Sequence, residues 1–199
     1  MRYLLISLVV FLFSGCLSTT VPPKAEFRLN PEISHTNLSA IGCKDKSLKV
    51  AQAFSSSELM SQSMSYAQGG IKQYTYSKSQ WSSTPNRAIT AEFLKLIRDS
   101  KLFKSVQVSK SRSKNDFILE INIEDFMQYF CEKALTSHSK VLISLTLINS
   151  KTNKVIATQT FTAGFPIENL NANGGVEGLN KALSSVLSQS SIWFDEVCR

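Results

Sequence analysis

Few residues of this chain are of types that carry chemistry, and their spacing matches no common site. The candidates are Cys16, Cys43, Cys131, Cys198, His35 and His138. No Cys-x-x-Cys motif and no His/Cys pair at ligand spacing occurs, so the sequence predicts neither a zinc site nor a redox site. The adjacent acids Glu124 and Asp125 could be read as a catalytic pair, but they lie in an alternating strand pattern and are better explained as its solvated face. We therefore expect the protein to have no enzymatic activity and to bind no cofactor.

Cys16 follows a short apolar leader. Residues 4–13 are almost wholly apolar and come after a single early cation, Arg2. Ten residues are too few to cross the ~30 Å hydrocarbon core as a helix, so residues 1–15 are predicted to be a secretory signal peptide. An ordinary secretory leader with an unrelated cysteine is one reading of this pattern.

The end of the leader favours a different reading, that of a lipoprotein signal. The sequence Leu12-Phe13-Ser14-Gly15-Cys16 resembles the lipobox of bacterial lipoproteins, although Phe13 stands where leucine is most frequent. The resemblance implies that cleavage precedes Cys16, that its thiol receives diacylglycerol, and that a fatty acid such as palmitate acylates the new amino group. Leu17, where an aspartate commonly retains lipoproteins at the inner membrane, favours the outer membrane.

Bulk composition is that of an ordinary globular protein. The 199 residues are 43% hydrophobic and 19% charged, with a formal net charge of +7. No run of five or more like charges marks a nucleic-acid patch, so we expect no nucleic-acid partner. Residues 16–46 are polar and aperiodic and are predicted to be a lipidated cysteine with a flexible tether that spans on the order of 100 Å when extended. Residues 47–199 are predicted to form a single domain.

The hydrophobic periodicity of residues 47–199 predicts an α+β fold with a mostly antiparallel sheet of about six strands and two helices packed on one face. Thr84 and Pro85 predict the start of the first helix, and the second follows Gly174-Gly175. The longest strand begins at Phe117, and its apolar phase shifts at Glu124-Asp125, which predicts a β-bulge. Residues 140–148 and 155–165 predict a hairpin.

At most one intramolecular disulfide can form if Cys16 carries lipid. We predict that Cys43 pairs with Cys198, because one precedes the first predicted strand, the other follows the last helix, and domain termini often lie close together. Cys131 would then stay a free thiol. Pairing of Cys43 with Cys131 is the alternative.

The segment from Tyr66 to Trp81 has the composition of an interface. It combines large aromatic residues with many serines and little charge. We predict that Tyr74, Tyr76 and Trp81 anchor a partner, since Tyr and Trp bury a large area with few rotatable bonds. The alternative is that these rings pack in the domain core.

Several diffuse motifs resemble the ABC-type transport auxiliary lipoproteins, a family that includes the PqiC lipoprotein. They are Trp81-Ser82-Ser83-Thr84-Pro85 after the aromatic hairpin, Ser100-Lys101-Leu102-Phe103-Lys104-Ser105-Val106 after the first helix, Thr152-Asn153-Lys154-Val155-Ile156 in the last hairpin, and Ile192-Trp193-Phe194 at the end of the second helix. The resemblance covers residues 49–194.

The resemblance implies a non-catalytic accessory subunit of an Mce-type ABC transport system for phospholipids or other hydrophobic molecules. Its partners would be an Mce-domain protein and, through the lipid anchor, the outer membrane on its periplasmic side. A homo-oligomer is compatible with these features. The alternative is a structural lipoprotein of an envelope assembly or secretion machine.

Overall fold

Residues 22–33 and 39–199 are described by the computed structural model, so the predicted lipidation site Cys16 lies outside the described residues. Within these ranges the chain forms ten strands, two α-helices and a short 3₁₀ turn over Ser57–Met60. The strands are β1 Ala25–Phe27, β2 Ser47–Val50, β3 Phe54–Ser55, β4 Ser63–Gln68, β5 Lys72–Trp81, β6 Ser105–Val108, β7 Phe117–Phe130, β8 Ser137–Asn149, β9 Lys154–Ala163 and β10 Pro166–Ile167. The helices are α1 Pro85–Ser100 and α2 Ala172–Val197.

All ten strands belong to one mixed sheet built around β7 and β8. Along one edge, β7 pairs with the antiparallel β8, which in turn pairs with β9 and β10. Along its other edge, β7 pairs in parallel with β2, β3 and β4 in succession. The strand β6 extends the sheet from β2, and β5 followed by β1 extends it from β4.

The predicted α+β class is correct, but the expected mostly antiparallel sheet of about six strands is wrong. The sheet has ten strands, and it is mixed because β1, β2, β3 and β4 each enter a parallel pair. The extra strands are mainly two to four residues long, too short to carry a readable alternation. Pairing direction depends on which strands meet in space, and this is not encoded in the pattern of any one strand.

The core lies between one face of the sheet and both helices. Alternate residues of β7 and β8, among them Leu119, Ile121 and Ile143, are fully buried. Ile89 and Phe93 of α1 and Leu183 of α2 belong to the same hydrophobic cluster. We call this side the helix face of the sheet and the opposite side the outer face.

The predicted β-bulge in the longest strand is present. Between Ile123 and Asp125 the register of β7 against β8 shifts by one residue, so Glu124 has no opposite partner. On the outer face, Glu124 accepts a hydrogen bond from Ser144, and Asp125 accepts one from the Tyr129 hydroxyl at 2.7 Å. Lys140 forms an ion pair with Asp125 at 2.9 Å. Both acids therefore have structural partners.

Part of the predicted tether is folded onto the domain. The strand β1 pairs with β5, with Ala25 opposite Ser79, and the Asn30 amide donates to the side chain of Asn180 on α2. Residues 39–46 also pack on the domain, with Ala40 and Cys43 in the hydrophobic core. The polar, proline-containing sequence of this segment does not predict a strand. The hydrogen bonds that hold it to the domain come from its backbone amides, which leave no pattern in the side chains.

Residues 39–43 are clamped to the last turn of α2. The Asp195 carboxylate accepts hydrogen bonds from the backbone amides of Ser39 and Ala40, each at 2.8 Å. The Gly42 amide donates to the Cys198 carbonyl at 2.8 Å, and a Cβ at Gly42 would come within 2.5 Å of that oxygen. Cys43 and Cys198 form a disulfide with Cα atoms 5.2 Å apart. This is the pairing predicted from the sequence, and Cys131 is an exposed free thiol.

Breaking the disulfide should destabilise the domain. The bridge joins positions 155 residues apart, so its loss enlarges the conformational space of the unfolded chain. We expect the Cys43→Ser/Cys198→Ser double variant to lose roughly 2–5 kcal/mol of unfolding free energy in urea titrations. The Cys131→Ser variant, at an exposed position, is the control. Non-reducing peptide mapping should show the Cys43–Cys198 crosslink, and a Cys131-containing crosslink would contradict the assignment.

The clamp at Asp195 should make stability depend on pH. The Ala40 amide, followed by the Arg199 guanidinium and the Ser39 amide, holds the pKa of the Asp195 carboxyl below its ordinary value. A carboxyl whose pKa is lower in the folded state adds stability above its unfolded pKa of about 4, and this is lost as pH falls through the folded pKa.

We therefore expect the stability difference between wild type and Asp195→Asn to be constant at neutral pH and to shrink below about pH 4. Urea titrations at several pH values measure it. Asp99→Asn, which changes an exposed carboxylate on α1, is the control. A difference that grows toward low pH would contradict the clamp.

Candidate interaction surface

The predicted partner segment forms the hairpin of β4 and β5. Its turn contains Gly69 and Gly70, with φ angles of 61° and 77°. These are left-handed values that glycine adopts without the Cβ penalty, which explains the pair at this turn. Tyr66 lies opposite Tyr74 across the hairpin and opposite Gln128 across the parallel pair with β7. Partners in register share a face, so all three side chains lie on the helix face.

Four rings form what we call the aromatic cluster: Tyr66, Tyr74, Tyr76 and Phe130. Tyr66 is its centre, with ring centroids 5.5 Å from Tyr74, 4.7 Å from Tyr76 and 5.3 Å from Phe130. These separations are those of favourable aromatic pairs. The four rings therefore hold one another in place.

A buried glutamine connects the cluster to the rest of the fold. The Tyr76 hydroxyl donates to Gln128 Oε1 at 2.9 Å, and Gln128 Nε2 donates to Ser137 Oγ at 2.8 Å. Burial, with a smaller contribution from Tyr66, raises the pKa of Tyr76 to about 12, so its phenol is neutral at physiological pH. The first turn of α2 covers Gln128 at Gly175, where a Cβ would lie 2.2 Å from Oε1.

The three predicted anchors have different environments. Tyr74 is 42% exposed and is available to a partner, whereas Tyr76 is half-buried. Trp81 is only 4% exposed and packs against Phe126 in the core, with ring centroids 5.9 Å apart. The prediction that Trp81 anchors a partner is therefore wrong, and the alternative core reading applies to it.

An irregularity in β5 explains the burial of Trp81. Between Ser63 and Ser65 of β4, the partner on β5 jumps from Gln80 to Thr75, so β5 contains extra residues at this point. The extra residues change which side chains face the helices. As a result Trp81 and Tyr76 line the same small cavity, together with Met64 and Leu179. In a regular strand an odd-numbered and an even-numbered residue would face opposite sides of the sheet.

Sequence analysis missed Phe130 as a member of the cluster and Tyr66 as its centre. Phe130 continues the shifted apolar phase of β7 after Phe126 and Gln128, so that phase was the available signal. Its meeting with Tyr66 depends on the parallel pairing of β4 with β7, which no local pattern indicates.

The described residues show no arrangement for metal binding or membrane spanning. No group of three or more His, Cys, Asp or Glu side chains in residues 22–33 and 39–199 could hold a metal ion. Over the same part of the chain, neither helix combines the length and the apolar character needed to cross a bilayer.

Comparison with known proteins identifies the fold but not the family. No family model matches the sequence, and no curated protein matches it. The fold is similar to that of protein XCC0632 from Xanthomonas campestris, of family model DUF330, with a TM-score of 0.78 and 14% identity over 87% of this chain and 95% of that one. A crystal structure of an uncharacterized protein gives a TM-score of 0.61 and 12% identity over 87% of this chain and 97% of that one.

A more distant similarity is to the PelC dodecamer from Paraburkholderia phytofirmans. It has a TM-score of 0.44 and 11% identity, over 77% of this chain and 91% of that one. A similarity at this level does not bear on the assembly state of this protein.

Substitutions of Tyr74, Tyr76 and Trp81 should distinguish core from surface positions by the unfolding free energy that each variant loses. We expect Trp81→Ala to lose roughly 3–5 kcal/mol of unfolding free energy because it leaves a core cavity. Tyr76→Phe keeps the ring but leaves Gln128 without its phenol donor, which should cost about 1–3 kcal/mol. Tyr74→Ala, at an exposed ring, should cost less than either. Urea denaturation of the three variants measures these losses, and equal losses for Trp81→Ala and Tyr74→Ala would contradict the assignment.

Proposed function

We propose that this protein is a lipid-anchored, non-catalytic accessory subunit of an Mce-type ABC transport system that moves phospholipids or other hydrophobic molecules. The observation that carries the proposal is the sequence resemblance to the auxiliary lipoproteins, combined with the Leu12–Cys16 lipobox. In this role Cys16 carries the lipid, and Leu17 after it favours the outer membrane facing the periplasm. The protein contributes binding and position and performs no reaction.

The surface that best suits a protein partner is the exposed edge of the aromatic cluster. Tyr74 is exposed and stacks on Tyr66, which in turn packs against Tyr76 and Phe130. A ring held in place before binding loses little conformational entropy when a partner covers it. Tyr74 is therefore the proposed anchor, and Tyr66, which is itself held by Tyr76 and Phe130, positions its ring.

The neighbourhood of Tyr74 also favours protein binding over non-specific adsorption. Because side chains alternate along a strand, the same-face neighbours of Tyr74 on β5 are the exposed Lys72 and the half-buried Tyr76, so a polar group lies at the rim beside the ring. An apolar centre with a polar rim is the usual anatomy of a protein–protein contact. The expected partner is the Mce-domain protein of the same system.

A pull-down from membranes tests the function. The full-length lipidated protein should co-purify the Mce-domain protein, and Tyr74→Ala should weaken its binding roughly 30-fold, which corresponds to the ~2 kcal/mol of a hot-spot residue. Val155→Ala, an exposed apolar position on β9, is the matched control and should bind normally. Normal binding by Tyr74→Ala would contradict the site. Capture of assembly or secretion components in place of the Mce-domain protein would favour the alternative function.

The anchor is tested separately. Metabolic labelling with a fatty acid should mark the wild type, and Cys16→Ala should lose both the label and sedimentation with membranes. If the Cys16→Ala protein still labelled and still sedimented, the lipid anchor would be elsewhere.

A further inference from the structure

We infer that the ends of two neighbouring hairpins, residues 69–72 and 131–136, contact the phospholipid bilayer that holds the anchor. We call these residues the hairpin end. The inference rests on the proposed lipidation of Cys16, and it adds an orientation of the domain that the proposed function does not contain.

The first observation is the short distance between anchor and domain. The strand β1 begins at Ala25, only nine residue steps after Cys16. At ~3.3–3.6 Å per residue, nine steps span at most about 30 Å. The expected tether of on the order of 100 Å is therefore reduced to less than a third. A domain held this closely must keep part of its surface near the bilayer.

The second observation is the direction from which the chain reaches the domain. The strand β1 runs parallel to β5, with Ala25 opposite Ser79 and Phe27 opposite Trp81. Since β5 starts at the Gly69–Gly70 turn and runs away from it, β1 also points away from that turn. The extra residues of β5 do not add to this distance, because Ser63 of β4 lies opposite Gln80 and Gly69 follows only six residues after Ser63. The nine steps from Ala25 back to Cys16 are therefore enough for the anchor to reach the level of the hairpin end.

The third observation is that two hairpins end side by side at this place. The Gly69 amide donates to the Phe130 carbonyl at 3.1 Å, and Gln68 Nε2 donates to the Glu132 carbonyl at 2.8 Å. These bonds fix the β4–β5 turn against the β7–β8 turn. Both turns therefore present their side chains to the same surface.

The fourth observation is the chemistry of those side chains. Ile71 is 91% exposed and Leu135 is 71% exposed, so each turn projects one large apolar side chain into solvent. Lys72 and Lys133 are exposed beside them. Apolar side chains gain free energy in the interfacial region of a bilayer, and lysines beside them can contact lipid phosphates. Alone this pair of residues would be weak, but an anchor within about 30 Å makes the contact effectively intramolecular.

The opposite end of the sheet provides the internal control. The β8–β9 turn lies there, and Val155 next to it is 60% exposed. Val155 resembles Ile71 and Leu135 in size and exposure, but β1 points toward that end and not away from it. The orientation therefore predicts that Ile71 and Leu135 contact the bilayer and that Val155, although chemically similar, does not.

The test places a fluorescent reporter at each end. Single cysteines replace Ile71, Leu135 or Val155 in a Cys131→Ser background, with the Cys43–Cys198 disulfide intact, and each receives an environment-sensitive dye. The lipidated full-length protein is reconstituted in vesicles of phosphatidylethanolamine and phosphatidylglycerol. We expect the dye at positions 71 and 135 to shift its emission to shorter wavelength and to be quenched by spin-labelled lipid. The dye at position 155 should remain in water. Equal quenching at all three positions, or stronger quenching at 155, would overturn the inference.

Two further measurements separate the possible failures. Mass spectrometry of the same samples reports whether Cys16 is acylated. Absence of acylation contradicts the proposed function. Acylated protein with water-exposed dyes at positions 71 and 135 contradicts only the contact between the hairpin end and the bilayer. The Ile71→Glu/Leu135→Glu variant, with a reporter at Lys133, should lose the emission shift while keeping the wild-type melting temperature, because both side chains are exposed. Val155→Glu should leave the shift unchanged. A shift that survives Ile71→Glu/Leu135→Glu would also overturn the inference.

Discussion

The fold depends on the fourteen-residue strand β7 and on the one-residue bulge within it. The strand pairs with β8 over its whole length, and its other edge is shared by β2, β3 and β4. Before the bulge, odd-numbered residues such as Ile121 face the helices; after it, even-numbered residues such as Gln128 do so. Since side chains alternate with period two, a strand without the bulge would turn Phe126 and Gln128 toward solvent. The core and the support of the aromatic cluster thus depend on the same irregularity.

The elements that could be predicted from the sequence are those with a local signal. The alternation along β7 extends over fourteen residues, and the turn between β8 and β9 and the Thr84–Pro85 start of α1 consist of residue types that are typical of such positions. The phase shift at Glu124 was readable for the same reason, since it interrupts a long alternation. The short strands β1, β3 and β10 have two or three residues each, and their place in the sheet is decided by distant partners. That is why the strand number and the parallel pairing were not predictable.

At the candidate site, too, the sequence indicated the segment but not the environment of each side chain. Aromatic residues among serines indicated that the hairpin matters, but composition cannot distinguish the exposed Tyr74 from the buried Trp81. Their environments differ because β5 contains extra residues between them and because β1 covers its far end. Knowledge of a strand irregularity is therefore needed before a periodic argument can assign a side chain to a face.

The contacts between the amino-terminal segment and the domain determine how far the domain can lie from the proposed lipid anchor. Asp195, the Cys43–Cys198 bridge and the pairing of β1 all hold the start of the chain on the domain. The pairing of β1 sets the length of the free chain in front of the domain, whereas the clamp and the bridge hold the chain that follows β1. If Cys16 carries the proposed lipid, a long tether would let the domain search for a partner far from the membrane, whereas a short one restricts it to a layer beside the membrane. Under the proposed orientation, with Tyr74 on the hairpin nearest the anchor, a partner that binds this surface would have to reach that layer. This constraint on distance is compatible with the proposed role of a lipid-anchored accessory subunit, whose partner would meet the domain beside the membrane.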